Sequence, residues 1–132
     1  MIVYTAHLVC GAYERFAKGN TPNQAADAAV AAMPPYANMD AAVARLNLWR
    51  STPAVNAVAF SGTLQSWRAV AGLVDSARVY AEAIAESTEM TFDRALKETL
   101  ATYCEDADEA DALQCEQLAN VAYAVLTGQG AW

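Results

Sequence analysis

The stretch IVYTAHLVCGAYERFAK, residues 2–18, decides whether the chain opens with a helix or with a strand. Apolar Ile2, Val9, Tyr13 and Phe16 with charge on the other side predict a helix, although IVYT alone would also suit a short strand. Gly19 and Asn20 end the element. Thr21 is then an N-cap with Pro22 at the first helical position, and Pro34-Pro35 closes this second helix at Met33. Asn38 or Asp40 caps a third helix to about Arg50, carrying Val43, Leu46 and Trp49 on one face.

Thr52-Pro53 repeats the cap signature and opens a short segment, PAVNAVAF, which Gly62 ends. From Thr63 to about Glu86 the residues Leu64, Trp67, Val70, Ala71, Val74, Ala77, Ala81 and Ile84 recur at threes and fours, one continuous apolar stripe. Thr91 caps a further helix with Phe92, Leu96, Leu100 and Tyr103. The last helix begins near Asp106 to Asp108, carries Leu113, Leu118, Val121, Val125 and Leu126, and ends before Gly128. The fold expected is all-α: one compact bundle of six to seven short-to-medium helices forming a single domain over 1–132.

A chain of 132 residues with 55% hydrophobic content can bury a core without staples. Much of that content is Ala, which favours helix but buries little area, so Trp49, Phe60, Trp67, Phe92 and Tyr103 are the expected anchors. No segment approaches the roughly 18 apolar residues of a membrane span. MIVYTAHLVC lacks a basic leader and is followed by Glu14, Arg15 and Lys18, so no secretory signal is read there. Three cysteines without close pairing agree with a reducing compartment, and the cytoplasm is expected.

Residues 20–46, NTPNQAADAAVAAMPPYANMDAAVARL, pose the question of a DNA-reading helix-turn-helix. The break PPYAN exceeds the usual three or four residues, and the second helix would begin with the acid Asp40. GNTPNQAADAAVAAM, ARLNLW and TPAV follow the order of the helix-turn-helix region of phage small terminase subunits. Their spacings are stretched and the glycine turn is missing, so no resemblance is drawn. Arg45 and Arg50 are its only cations, and with a net charge of −7 the chain has little affinity for phosphates to begin from. Direct nucleic-acid binding is not expected; a DNA-binding or packaging accessory using 21–50 is the runner-up.

His7, Cys10, Cys104 and Cys115 make up a three-Cys, one-His zinc set by count, but Cys104 and Cys115 lie too far apart for the usual paired spacing. Buried cysteines acting as small hydrophobes are the plainer reading, and no metal or other cofactor is expected. Nothing activates a thiol, and the carboxylates lack the apolar walls that would raise a pKa, so the chain is not read as an enzyme.

Charge distribution is the informative feature. Residues 1–78 carry six cations against four acids, whereas 79–132 carry only Arg94 and Lys97 against eleven acids. Glu82, Glu86, Glu89 and Asp93 would form a single stripe on one continuous helix, and Glu105, Asp106, Asp108, Glu109 and Asp111 crowd the segment that follows. Some of these acids have local work: Asp93 complements a helix N-terminus and pairs with Lys97, and Arg94 pairs with Glu98. STEMT reads as a turn that would break the stripe, and a solvated face that aids solubility is the plain alternative.

An excess of like charge repels itself, which points to a positive partner. These nine acids therefore define a candidate surface for the basic groove of a nucleic-acid-handling protein. The function expected is non-enzymatic inhibition, of the kind exerted by phage-borne antagonists of CRISPR or restriction systems. A third reading is a homo-oligomeric structural protein using Ala-rich faces and Trp132.

Overall fold

Residues 2–18 form a β-hairpin rather than a helix. In the computed structural model, which describes residues 1–129, strand β1 (Val3–Cys10) pairs antiparallel with β2 (Tyr13–Gly19), from Tyr4 opposite Gly19 to Cys10 opposite Tyr13. Two residues, Gly11 and Ala12, make the turn. Gly11 has φ of +61°, the conformation that a two-residue hairpin with Gly first requires. Burial alternates along β1: Tyr4, Ala6, Leu8 and Cys10 are buried, while Thr5, His7 and Val9 are half-exposed. The helical face expected from Ile2, Val9, Tyr13 and Phe16 does not exist; Phe16 is 63% exposed.

Helix α1 (Pro22–Ala32) matches its sequence signals. The Thr21 hydroxyl accepts from the Gln24 N–H at 3.1 Å, Pro22 occupies the first turn, and Met33 is the C-cap. Its buried residues Ala25, Ala26 and Ala29 let the helix backbone lie close to β1, β2 and β3.

The third helix is also absent. Asp40 does cap a turn, its carboxylate accepting from the Ala42 N–H at 3.0 Å, but the turn closes at Ala44. The chain then continues as β3 (Arg45–Ser51) and, after a short loop, β4 (Asn56–Thr63), in place of the segment expected after Pro53. Leu46 and Leu48 are buried between their neighbours, with Asn47 and Trp49 on the opposite face. The antiparallel sheet has the order β2-β1-β3-β4, with a bulge between Leu48 and Trp49 where β4 contributes an extra residue. The fold is therefore mixed α/β, with four helices and a four-stranded sheet among the described residues, and not an all-α helical bundle.

Helix α2 (Leu64–Thr88) carries the expected stripe: Leu64, Trp67, Val70, Val74, Ala77 and Ala81 are buried. Trp67 meets Phe60 edge-on at 5.2 Å. The Thr63 hydroxyl accepts from the Ser66 N–H at 3.0 Å, and the Ala44 and Ala41 carbonyls accept from the Leu64 and Gln65 N–H groups at 2.8 and 2.9 Å. Of the other expected anchors, Trp49 and Phe92 are half-buried and Tyr103 is 38% exposed.

By its contacts the chain divides into two units, Met1–Ala71 and Gly72–Trp132. The first holds the sheet, α1 and the start of α2. The second holds the remainder of α2, then α3 (Phe92–Glu105) and α4 (Ala112–Thr127), which pack on each other. The Thr91 hydroxyl caps α3, accepting from the Arg94 N–H at 3.2 Å. Gly128, with φ of +71°, ends α4 in the left-handed conformation. Helix α4 starts at Ala112, later than expected, because Asp106 to Asp111 fold as turns instead. Among the described residues no helix is long and apolar enough to cross a membrane. Trp132, expected to supply oligomer contacts, lies outside the described residues.

Candidate functional site

The nine acids singled out by sequence all belong to the second unit, but they do not share one stripe. Glu82 and Glu86 sit one turn apart on α2, which ends at Thr88. Glu89 follows in the connection with φ of +58°, a left-handed residue that turns the chain out of the helical path. Asp93 opens α3. The continuous helix that would align all four is therefore broken where STEMT predicts a turn.

Internal partners further divide the set. Arg78 reaches Asp75 at 3.0 Å and Glu82 at 3.3 Å. Partial burial opposes its charge, but the Asp75 hydrogen bond and the Glu82 charge outweigh this and hold its pKa above the ordinary value. Arg94 pairs with Glu98 at 3.7 Å and Lys97 with Asp93 at 3.3 Å, both at the expected four-residue spacing.

Asp93 has a second partner that sequence reading missed: the Tyr123 hydroxyl of α4 donates to it at 2.5 Å. That hydrogen bond, with help from Lys97, holds the Asp93 carboxyl below its ordinary range, and the same bond raises the Tyr123 phenol. Its hydrogen bond to Asp93 likewise raises Lys97. Asp93 thus clasps α3 to α4, and no spacing rule over thirty residues of separation flags such a pair.

The remaining carboxylates are different. All three cations of residues 72–129 are held by Asp75, Glu82, Asp93 and Glu98. Among the described residues, Glu86, Glu89, Glu105, Asp106, Asp108, Glu109, Asp111 and Glu116 have no ion pair. Five of these fall between Glu105 and Asp111, and all five are exposed. Glu105 ends α3, Asp106 is its C-cap, and Asp111 occupies the N-cap position of α4 without making a side-chain cap bond. Two backbone bonds, Ala107 N–H to Cys104 O at 3.3 Å and Asp111 N–H to Asp108 O at 2.9 Å, fold the segment back on itself. Asp108 and Glu109, expected inside the last helix, precede it and do not serve its dipole from within the first turn.

Exposed apolar residues accompany this cluster. Leu113 is 68% exposed at the start of α4, and Asp106 borders a groove of about 420 Å³ between α2 and α3 that is lined by Tyr80, Ile84 and Tyr103. Burial pushes up the Tyr103 phenol and the Cys104 thiol, with the neighbouring Cys115 adding to both.

The zinc set is not assembled around His7 and Cys10. A spacing of three shares a face on a helix, but on β1 it puts the two side chains on opposite faces of the sheet. Among the described residues no group of three or more His, Cys, Asp or Glu side chains is placed to hold a metal ion. The hairpin of two helices required for DNA reading is missing too, because Arg45 and Arg50 lie on β3. Comparison with known protein families, with curated proteins and with solved structures finds none that matches this chain.

Proposed function

We propose that the protein acts by binding, without catalysis, and that the carboxylates of Glu105, Asp106, Asp108, Glu109 and Asp111 engage the basic groove of a nucleic-acid-handling protein. The observation that carries this reading is the unequal satisfaction of charge. The second unit's three cations are consumed by local pairs, and the cluster between α3 and α4 keeps five exposed carboxylates with no ion pair among the described residues.

Like charges held together in one short segment repel, and a cationic partner relieves that repulsion while steering the encounter. Carboxylates presented by turns that are anchored at both ends by helices stand in for phosphates. Inhibition by occupation follows, as a phage-borne antagonist of a CRISPR or restriction system would exert it in the cytoplasm, where the thiols of Cys10, Cys104 and Cys115 suit reducing conditions. Glu86 and Glu89, free of ion pairs, lie at the opposite end of α3 from this cluster and stand outside it, and Glu82 and Asp93 already have internal partners.

Displacement of labelled duplex DNA from a purified CRISPR effector complex and from a restriction endonuclease tests the proposal. Displacement that weakens with salt and is abolished by the combined Glu105→Lys, Asp106→Lys, Asp108→Lys and Glu109→Lys changes is expected. Equal displacement by that variant refutes the assignment of the surface.

A further inference from the structure

The first unit has a second surface that the acidic reading does not use. Helix α1 covers one face of the sheet; the other carries Phe16, His7 and Trp49 across the three neighbouring strands β2, β1 and β3. His7 stacks on Phe16 with ring centroids 4.3 Å apart and an interplanar angle of 11°, and Trp49 tilts toward it at 6.5 Å. The Glu14 carboxylate accepts from the outward edge of His7, Nε2 to Oε2 at 2.9 Å, which fixes the ring. In the same row Ser61 donates to Asn47 at 2.7 Å. Phe16 remains 63% exposed, so one ring of the stack is open to a further planar group.

The placement of cations identifies that group. Of the chain's eight Lys and Arg residues, three are spent in the second unit's ion pairs, Arg15 donates to the Ala32 and Glu14 carbonyls, and Arg50 is half-buried. Lys18, Arg45 and Arg68 are exposed with no ion pair among the described residues. Two of these three, Lys18 and Arg45, lie on the open face, since Lys18 is opposite Thr5 and Arg45 opposite Val9. They flank the aromatic row on opposite sides. With strands about 4.8 Å apart and a rise of about 3.4 Å per residue, their Cα atoms are separated by roughly 17 Å.

We propose that this face binds single-stranded nucleic acid, one base stacking on Phe16 and the backbone phosphates meeting Lys18 and Arg45. Duplex DNA offers no free base face and is held mainly through many phosphates, which two cations on a chain of net charge −7 do not satisfy. An unstacked base needs only an exposed aromatic ring. Every residue involved lies within Met1–Ala71, so failure of this proposal leaves the carboxylate reading untouched, and failure of that reading leaves this one.

Fluorescence anisotropy at low salt, with a short labelled oligothymidylate, the matching oligouridylate and a duplex of the same length, tests it. Binding of either single strand more tightly than the duplex is expected, and the two single strands distinguish DNA from RNA as the natural source. Phe16→Ala should weaken binding roughly tenfold. Two phosphate contacts give a slope of log K against log salt of roughly −1.4, which Lys18→Ala with Arg45→Ala should flatten. Circular dichroism of each variant checks that the hairpin still forms. No binding of either single strand at low salt overturns the proposal, as does equal binding of the duplex or unchanged binding by a folded Phe16→Ala variant.

Discussion

Leu8→Ala separates the strand reading of residues 2–18 from the helical one, because the two place different side chains inside. In the sheet Leu8 is fully buried, directly opposite Leu46 on β3 and beneath the alanine face of α1. Removing three carbons forfeits about 2.4 kcal/mol of transfer free energy at about 0.8 kcal/mol each. The alanines above are too short to collapse into the gap, so a void of about 60 Å³ adds about 1.5 kcal/mol. The total, about 4 kcal/mol, corresponds to a fall of about 2 M in the urea midpoint for an m-value near 2 kcal/mol/M. Phe16, on the expected helical face but 63% exposed here, should cost at most about 1 kcal/mol on truncation to Ala, mostly its stacking on His7. Urea unfolding followed by the fluorescence of Trp49 and Trp67, both in the first unit, reads either change. A cost below about 1 kcal/mol for Leu8→Ala, or a larger one for Phe16→Ala, would refute the hairpin.

Gly19→Ala should destabilise by about 2 kcal/mol, because its Cβ would lie 2.6 Å from the Ala25 backbone nitrogen and 2.7 Å from Gln24 Cβ, and the first turn of α1 must shift. Calorimetry should show the melting temperature several degrees lower, and an unchanged value would contradict the close seat of α1 on β2. Asp93, with its folded pKa depressed, contributes stability that is present above its unfolded value of about 3.9 and lost as pH falls through the folded value. Tyr123 and Lys97, both raised, contribute at neutral pH and lose that contribution as pH rises through their folded values. Tyr123→Phe should therefore let the Asp93 carboxyl titrate closer to its ordinary range by NMR and flatten the acid limb of the stability profile; an unshifted Asp93 titration would show that the hydroxyl is not its main support.

The helices were largely legible because their signals are local. Thr21 and Thr91 cap where their sequences say, Pro22 and Gly128 mark a start and a stop, and the stripe from Leu64 to Ala81 is long enough to average out accidents. The sheet was not legible because its spacings imitate a helix. Val9, Tyr13 and Phe16 are four and three apart, but Gly11 and Ala12 reverse the chain between them, so Val9 and Phe16 face outward on different strands while Tyr13 lies on the α1 side. Val43, Leu46 and Trp49 repeat the accident: Val43 belongs to an exposed turn, Leu46 is buried and Trp49 points the other way. The signal available was Gly-Ala between two runs containing β-branched and aromatic residues, a two-residue hairpin turn with Gly first.

A carboxylate is available to a partner only if no nearer charge or hydroxyl already holds it, and sequence spacing answers that question unevenly. Spacing of four identified Asp93 with Lys97 and Arg94 with Glu98, because a helix supplies the geometry. The same spacing joins Arg78 to Glu82 on α2, a pair left out when Glu82 was grouped with the free acids, whereas no spacing rule reaches from Tyr123 to Asp93. Lys18 and Arg45, left without ion pairs among the described residues, stand on either side of an exposed aromatic row. Two cations are inadequate for a duplex and adequate beside a stacked base. A net charge of −7 therefore describes neither surface: the carboxylate cluster and the aromatic face differ in sign, and each is defined by the charges that local pairing leaves over.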